Sequence, residues 1–244
     1  MKLNEMIDAG MPEDQALIGY VGAFPYAEVI SGYTSFFLGA RYICPSATMK
    51  VQFTGSWYDE SLEKEAANHL IELGCVLISQ HADSMGAPGA CELAGVPDIS
   101  YNGSTIDACP NTFIVSTRIN WAPYFAYIIE CVRSGKAIDI DWTGTMDTES
   151  VLMTEVNDNA AAPGTAEKIA EVQAALKDGS LQVFDINTFT VDGSIVSTYF
   201  ADVDSDPAYE GDTEVILDGA FQESLFRSAP YFDLHIDGIE ILGS

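Results

Sequence analysis

Positive charge is what this sequence has least of. Ten lysines and arginines stand against 37 aspartates and glutamates in 244 residues, a formal net charge of −27 with histidines neutral. A surface of that sign repels phosphate backbones and anionic headgroups, which argues against a nucleic-acid or membrane-surface role. It favours solubility and tolerates neutral or cationic ligands. Cysteine is scarce and unpatterned. Cys44, Cys75, Cys91, Cys109 and Cys131 are odd in number with no C-x-x-C pair, so zinc-ribbon and thioredoxin-type sites drop out. Cys75 and Cys131 read as small buried hydrophobes, and spacing alone places no disulfide among the others. No apolar run reaches about 18 residues, so no transmembrane helix is expected. The opening M-K-L-N-E-M-I-D-A-G lacks the apolar core of a signal peptide and reads as a short amphipathic helix. P-loop and G-x-G-x-x-G patterns are missing, so triphosphates and dinucleotides are unsupported and no cofactor is expected.

What is present is a rhythm. Hydrophobic content of 48% and aromatic content of 11% are those of a globular chain. Over the first 135 residues a short apolar run, a polar-aromatic loop and a helical pattern alternate. The apolar runs are L-I-G-Y-V-G, M-K-V-Q-F-T, C-V-L-I-S-Q, P-D-I-S-Y and T-F-I-V-S. Helices are expected over about 28–41, in E-S-L-E-K-E-A-A-N-H-L-I-E-L-G, in A-P-G-A-C-E-L-A-G and in W-A-P-Y-F-A-Y-I-I-E-C-V-R-S-G. In the second of these, Leu62, Ala66, Leu70 and Leu73 mark one face and Gly74 a stop. Near-continuous apolar strands alternating with helices predict an α/β fold, a parallel sheet covered on both faces.

The pattern divides the chain into a lobe at 1–136 and a region at 137–244. That second region should hold crossover strands around 138–159 and 181–185, one helix capped by Thr165 and stopped at Gly179, a hairpin at Asp192-Gly193, and an acidic tail wrapping a surface. No solenoid repeat or low-complexity tract occurs.

An open parallel sheet binds ligands beyond the carboxyl ends of its strands. Here those ends read A-F-P-Y-A-E, G-S-W-Y-D-E, Q-H-A-D-S-M-G, Y-N-G-S-T-I and S-T-R-I-N-W. Aromatic faces with small hydrogen-bonding edges suit a flat, polar, largely neutral molecule such as a nucleobase or nucleoside. Candidate contacts are Phe24, Tyr26, Trp57, His81, Asp83, Ser84, Tyr101, Asn102, Arg118 and Trp121. His81, Asp83 and Ser84 are also the residue types of a hydrolytic triad. Triads, however, converge from distant segments, and no G-x-S-x-G elbow surrounds Ser84. A metal site at His81 and Asp83 lacks further ligands, because His69 and His235 lie in a helix and in the tail. Asp202, Asp204 and Asp206 have the spacing of a calcium loop, but its sixth and twelfth positions hold Pro207 and Thr213. No metal is therefore assigned. A hydrolase using His81 and Asp83, or a sensory ligand-binding domain, remains as the alternative.

The segments I-G-Y-V-G-A-F-P-Y-A-E-V-I-S-G-Y, F-T-G-S-W-Y-D-E, L-I-S-Q-H-A-D-S, V-S-T-R-I-N-W-A-P-Y-F, A-L-K-D-G-S-L-Q-V-F-D and S-A-P-Y-F-D-L-H-I-D-G-I resemble, in order, the basic membrane protein (BMP) family. These are substrate-binding lipoproteins of ABC importers. The resemblance implies a type I periplasmic-binding-protein fold, two α/β lobes closing on a purine or purine nucleoside, with no catalysis. It implies that residues 80–85 line the cleft and that Asn102 stands where many members carry a ribose-binding aspartate. Arg118 falls near a ligand-contacting lysine, and Trp121 and Tyr26 could stack on a base. Members carry a complete first lobe before the segment matching I-G-Y-V-G, so Met1 reads as an internal methionine of a longer, extracytoplasmic, membrane-anchored protein. The expected partners are a purine-type ligand and an ABC permease, with self-association through an exposed cleft wall.

Overall fold

Strands that are apolar on both sides must be covered on both faces, and the sheet here is. The structure, a computed structural model, describes residues 1–204, 208 and 210–243. It runs α1 (Lys2–Asp8), β1 (Leu17–Gly22), α2 (Ala27–Ile43), β2 (Thr48–Phe53), α3 (Glu60–Glu72), β3 (Leu77–His81), α4 (Gly86–Ala94), β4 (Asp98–Ser100), β5 (Phe113–Ile119) and α5 (Ala122–Ser134). Beyond these lie β6 (Val151–Met153), α6 (Thr165–Lys177), four two-residue strands β7 to β10 (Phe200–Ala201, Thr213–Glu214, Ile216–Leu217, Ala220–Phe221) and β11 (Ile239–Ile241). Among the described residues the main sheet has seven strands in the order β11-β2-β1-β3-β4-β5-β6. All its pairings are parallel except β5 with β6.

One face of the sheet is covered by α3 and α4, where Val21, Ile78, Ala66, Ala67, Leu70, Ala87 and Ala90 form a small-residue core. The fit is close. A Cβ on Gly19 of β1 would meet Ile78 Cδ1 at 2.6 Å and Leu70 Cβ at 3.0 Å. On the other face α2 buries Val29, Tyr33 and Phe37 against Ile18, Tyr20, Met49 and Val51.

The face of α3 differs from the expected one. It buries Glu63, Ala66, Ala67 and Leu70, the i, i+3, i+4, i+7 set, and leaves Leu62 and Leu73 exposed. The helix starts on Asp59, whose carboxylate accepts from Ser61 N and Leu62 N at 3.0 Å each. In α6 the cap is Gly164, at φ +78, rather than Thr165. Thr165 instead opens the helix, and its hydroxyl donates back to the Ala162 carbonyl at 2.6 Å.

The region after residue 137 departs most from expectation. Of the stretch 138–159 only β6 is a strand, and 181–185 holds none. At Asp192-Gly193 a tight turn forms with φ of 50° and 76°, but only the single bridge Val191–Ser194 flanks it. The C-terminal tail does not merely wrap a surface. Phe221, Tyr231, Phe232 and Ile236 are buried, and the Phe232 ring stacks on Phe184 at 4.3 Å between centroids. Then β11 adds itself to the edge of β2, with Glu240 directly opposite Lys50 and ion-paired to it. All five cysteines are buried and free. Of the calcium-like spacing, Asp206 and Pro207 lie outside the described residues, and among the described residues no three metal-ligating side chains cluster. No helix among them is long and apolar enough to cross a membrane.

Candidate functional site

Parallel strands deliver their carboxyl ends to one edge, and backbone bonds stitch the loops there together. Ala23 N donates to His81 O at 3.0 Å, Gly55 N to Ala23 O at 2.9 Å, and Asp83 N to Trp57 O at 2.9 Å. Three loops thus share one border, and their rings meet on it, with Tyr101 at the end of β4 joining through His81. Tyr26 stacks on Phe24 (centroids 5.1 Å, planes 14° apart) and Phe24 lies 5.5 Å from Trp57. Trp57 meets His81 edge-on at 6.2 Å, and His81 lies over Tyr101 at 4.3 Å. The result is an unbroken aromatic run across the ends of β1, β2, β3 and β4. Tyr26 is exposed, Phe24 and Trp57 are half-buried, and His81 is buried.

Neither ring nitrogen of His81 has a hydrogen-bond partner. The nearest opposite charge, Glu28 Oε1, stands 3.9 Å from Nε2, too long for a hydrogen bond. Burial pushes the imidazole down to about 4, so at neutral pH it is an uncharged ring. Ser84 is buried, and its hydroxyl accepts from Gly86 N at 3.1 Å. A histidine with free nitrogens and a serine engaged with backbone do not make an activated nucleophile, so the triad types in this loop do not assemble. The Tyr101 hydroxyl is pushed up to about 12 by burial, with the charges of Glu28 and Asp83 adding. It stays a neutral donor.

Of the remaining predicted residues, Asn102, Arg118 and Trp121 are not part of this run. Asn102 has left-handed φ of 53°, and its Oδ1 accepts from Ile119 N at 2.9 Å. That bond ties the β4 loop to the end of β5. Arg118 is exposed on β5. Trp121 caps α5 and packs with Tyr124 and Phe125 of its own helix. Asp83 is exposed beside the aromatic run.

Beneath the run, a cavity of about 690 Å³ opens between the sheet and the α2–α6 side. It is lined by Ile18, Phe36, Leu77, Ile114 and Leu176, with His81 and Tyr101 among the wall residues. Of the ten predicted contacts, only those two border it. Sequence reasoning missed Glu63, whose fully buried carboxylate receives the Ser84 amide. The available signal was its place four residues after the cap Asp59, within reach of the helix start.

Comparison with known proteins agrees with this architecture. Residues 9–181 match the family model described as ABC transporter substrate-binding protein PnrA-like (Bmp). A putative ABC transporter glucose-binding protein of Haloferax volcanii is 31% identical over 181 residues, covering 74% of this chain and 46% of that protein. A purine-binding protein of Brucella abortus is 31% identical over 183 residues, covering 74% and 51%. The chain therefore spans about half the length of these curated relatives. Among solved structures, a solute-binding protein of an ABC transporter system from Conexibacter woesei superposes with TM-score 0.55 at 20% identity, covering 68% of this chain and 56% of that one. One from Aeropyrum pernix gives 0.53 at 16%, covering 74% and 55%. At those identities the likeness shows the fold.

Proposed function

The chain belongs to the Bmp family of PnrA-like ABC transporter substrate-binding proteins, and from that premise we propose that it holds a purine base or purine nucleoside for an ABC importer. Members of this family bind their solute without converting it. The observation that carries the ligand class is the aromatic run Tyr26–Phe24–Trp57–His81–Tyr101 along the strand ends. Rings at these spacings offer π-faces to a flat heterocycle. The exposed carboxylate of Asp83 supplies a hydrogen-bonding edge for its ring N–H and exocyclic amino groups, while neutral, buried His81 contributes its ring to the aromatic run. A purine-binding relative at 31% identity supports the same class. Asn102 has its side-chain oxygen engaged by Ile119 N, which leaves it a poor acceptor for ribose hydroxyls and favours the free base over the nucleoside.

In this reading the protein works outside the cytoplasm and hands its ligand to a permease. The alternative of nucleoside hydrolysis by His81 and Asp83 is disfavoured by the unpartnered imidazole. Equilibrium dialysis of adenine, hypoxanthine, guanine and their nucleosides, followed by chromatography of the retained material, tests both points. A purine retained and recovered unchanged is the expected result. Free base released from a retained nucleoside would replace this reading with the hydrolase.

A further inference from the structure

Glu63 is a carboxylate with no exposed surface at all, on the apolar side of a helix, in a chain with acidic residues to spare. A charge taken fully out of water is retained at a cost unless its oxygens are filled by donors. Here they are filled by backbone from two separate loops. Asp59 N donates to Oε1 at 3.1 Å, and Ser84 N is shared between Oε1 and Oε2 at 3.3 and 3.2 Å. Asp59 ends the β2–α3 loop that carries Trp57, and Ser84 belongs to the β3–α4 loop that follows His81 and carries Asp83.

The surroundings show why this bond sets geometry rather than merely filling space. A Cβ on Gly86 would come within 2.3 Å of Glu60 O and 2.8 Å of Lys64 N, so the loop backbone lies directly on the first turn of α3. Asp83 N is already committed to Trp57 O. The Gln80 amide donates to Ala82 O at 2.8 Å and to Ser84 O at 3.3 Å. The peptide groups of residues 82–84 are thus bonded inward, toward Trp57, Gln80 and Glu63, while the Asp83 side chain is left outward beside the aromatic run.

We infer that Glu63 is the positioning residue of the ligand site: its buried carboxylate fastens the Trp57 loop to the His81–Asp83 loop and holds the pair in binding geometry before ligand arrives. The inference rests on the strand-end reading of the site given above. It differs from a structural role in one respect. A structural carboxylate would affect the whole fold, whereas a positioning one affects two amides and the affinity. Order present before binding need not be supplied by the ligand, which is how preorganisation raises affinity.

Glu63→Gln keeps size and shape but presents an NH₂ where an oxygen accepts. Amide hydrogen exchange on the free protein, followed by titration with adenine and adenosine, reads both consequences. The expected result is faster exchange at Ser84 and Asp59, no change at amides of β1 and β5, and binding weaker by roughly tenfold. Unchanged exchange at Ser84 overturns the inference. So does acceleration that β1 and β5 share equally, and so does faster loop exchange with undiminished affinity. If the unaltered protein binds neither probe, the purine reading fails, while the exchange comparison still decides whether Glu63 orders the loop.

Discussion

Acid should weaken this fold through His81, and by an amount that can be worked out. The imidazole is buried without a hydrogen-bond partner, and its pKa falls from 6.5 to about 4. Between those values the unfolded chain takes up a proton that the folded chain refuses. Stability therefore falls as pH drops through 6.5 toward about 4, and the loss is complete below that. At about 1.36 kcal/mol per pH unit, the whole interval is worth about 3 kcal/mol.

Urea denaturation of the protein and of His81→Gln, run across that interval, isolates the effect, because the variant has no proton to take up. The advantage of the parent over the variant should shrink by about 3 kcal/mol from the neutral to the acid end. Asp98 supplies an opposite control. Burial raises its carboxyl from 3.8 to about 6, so the folded state keeps a proton that the unfolded chain loses. Its contribution is lost as pH rises through that window. The parent-minus-variant curve for Asp98→Asn should slope the other way. Parallel curves for parent and His81→Gln would refute the reasoning, since they would mean an imidazole that titrates alike in both states.

Three further outcomes follow from the same structure. With a formal charge of −27, self-repulsion opposes compaction. Raising salt from about 0.1 to about 1 M shortens the screening length from about 10 to about 3 Å, so the melting temperature should rise; a flat or falling profile contradicts this. Phe232→Ala should cost about 3–5 kcal/mol in urea titration, as a fully buried ring stacked on Phe184. A cost near zero would put the C-terminal segment back on the surface. Trp57→Ala should weaken purine binding by about 1–3 kcal/mol in a fluorescence titration; unchanged affinity would remove Trp57 from the site.

The alternating strands and helices up to α5 were legible because their signals are local. Short apolar runs such as L-I-G-Y-V-G, each followed by a helical pattern, fit strands buried on both faces, and Gly95 and Gly135 stop α4 and α5 in left-handed geometry. The C-terminal third was not, because its order is borrowed. I-E-I becomes a strand through the open edge of β2 and the Lys50–Glu240 pair, and Phe232 becomes core only where Phe184 and Phe221 surround it. Nothing within those segments encodes either partner.

The candidate site divides along the same line. Rings placed directly at strand ends, Phe24, Trp57, His81 and Tyr101, come together as their sequence positions imply. Trp121, the N-cap of α5, is carried off by that helix to pack with Tyr124 and Phe125. Glu63 went unseen because a glutamate within a helix looks like solvated surface until the loop above it is in place.

In the reading proposed above, the aromatic run at the strand ends takes a purine. Isothermal titration of adenine, hypoxanthine, guanine, their nucleosides and glucose against the protein, Trp57→Ala and Trp121→Ala tests it most directly. Saturable binding of at least one purine, weakened in Trp57→Ala and retained in Trp121→Ala, is the expected result. Binding of glucose with no response to any purine, or purine binding lost only in Trp121→Ala, would contradict it.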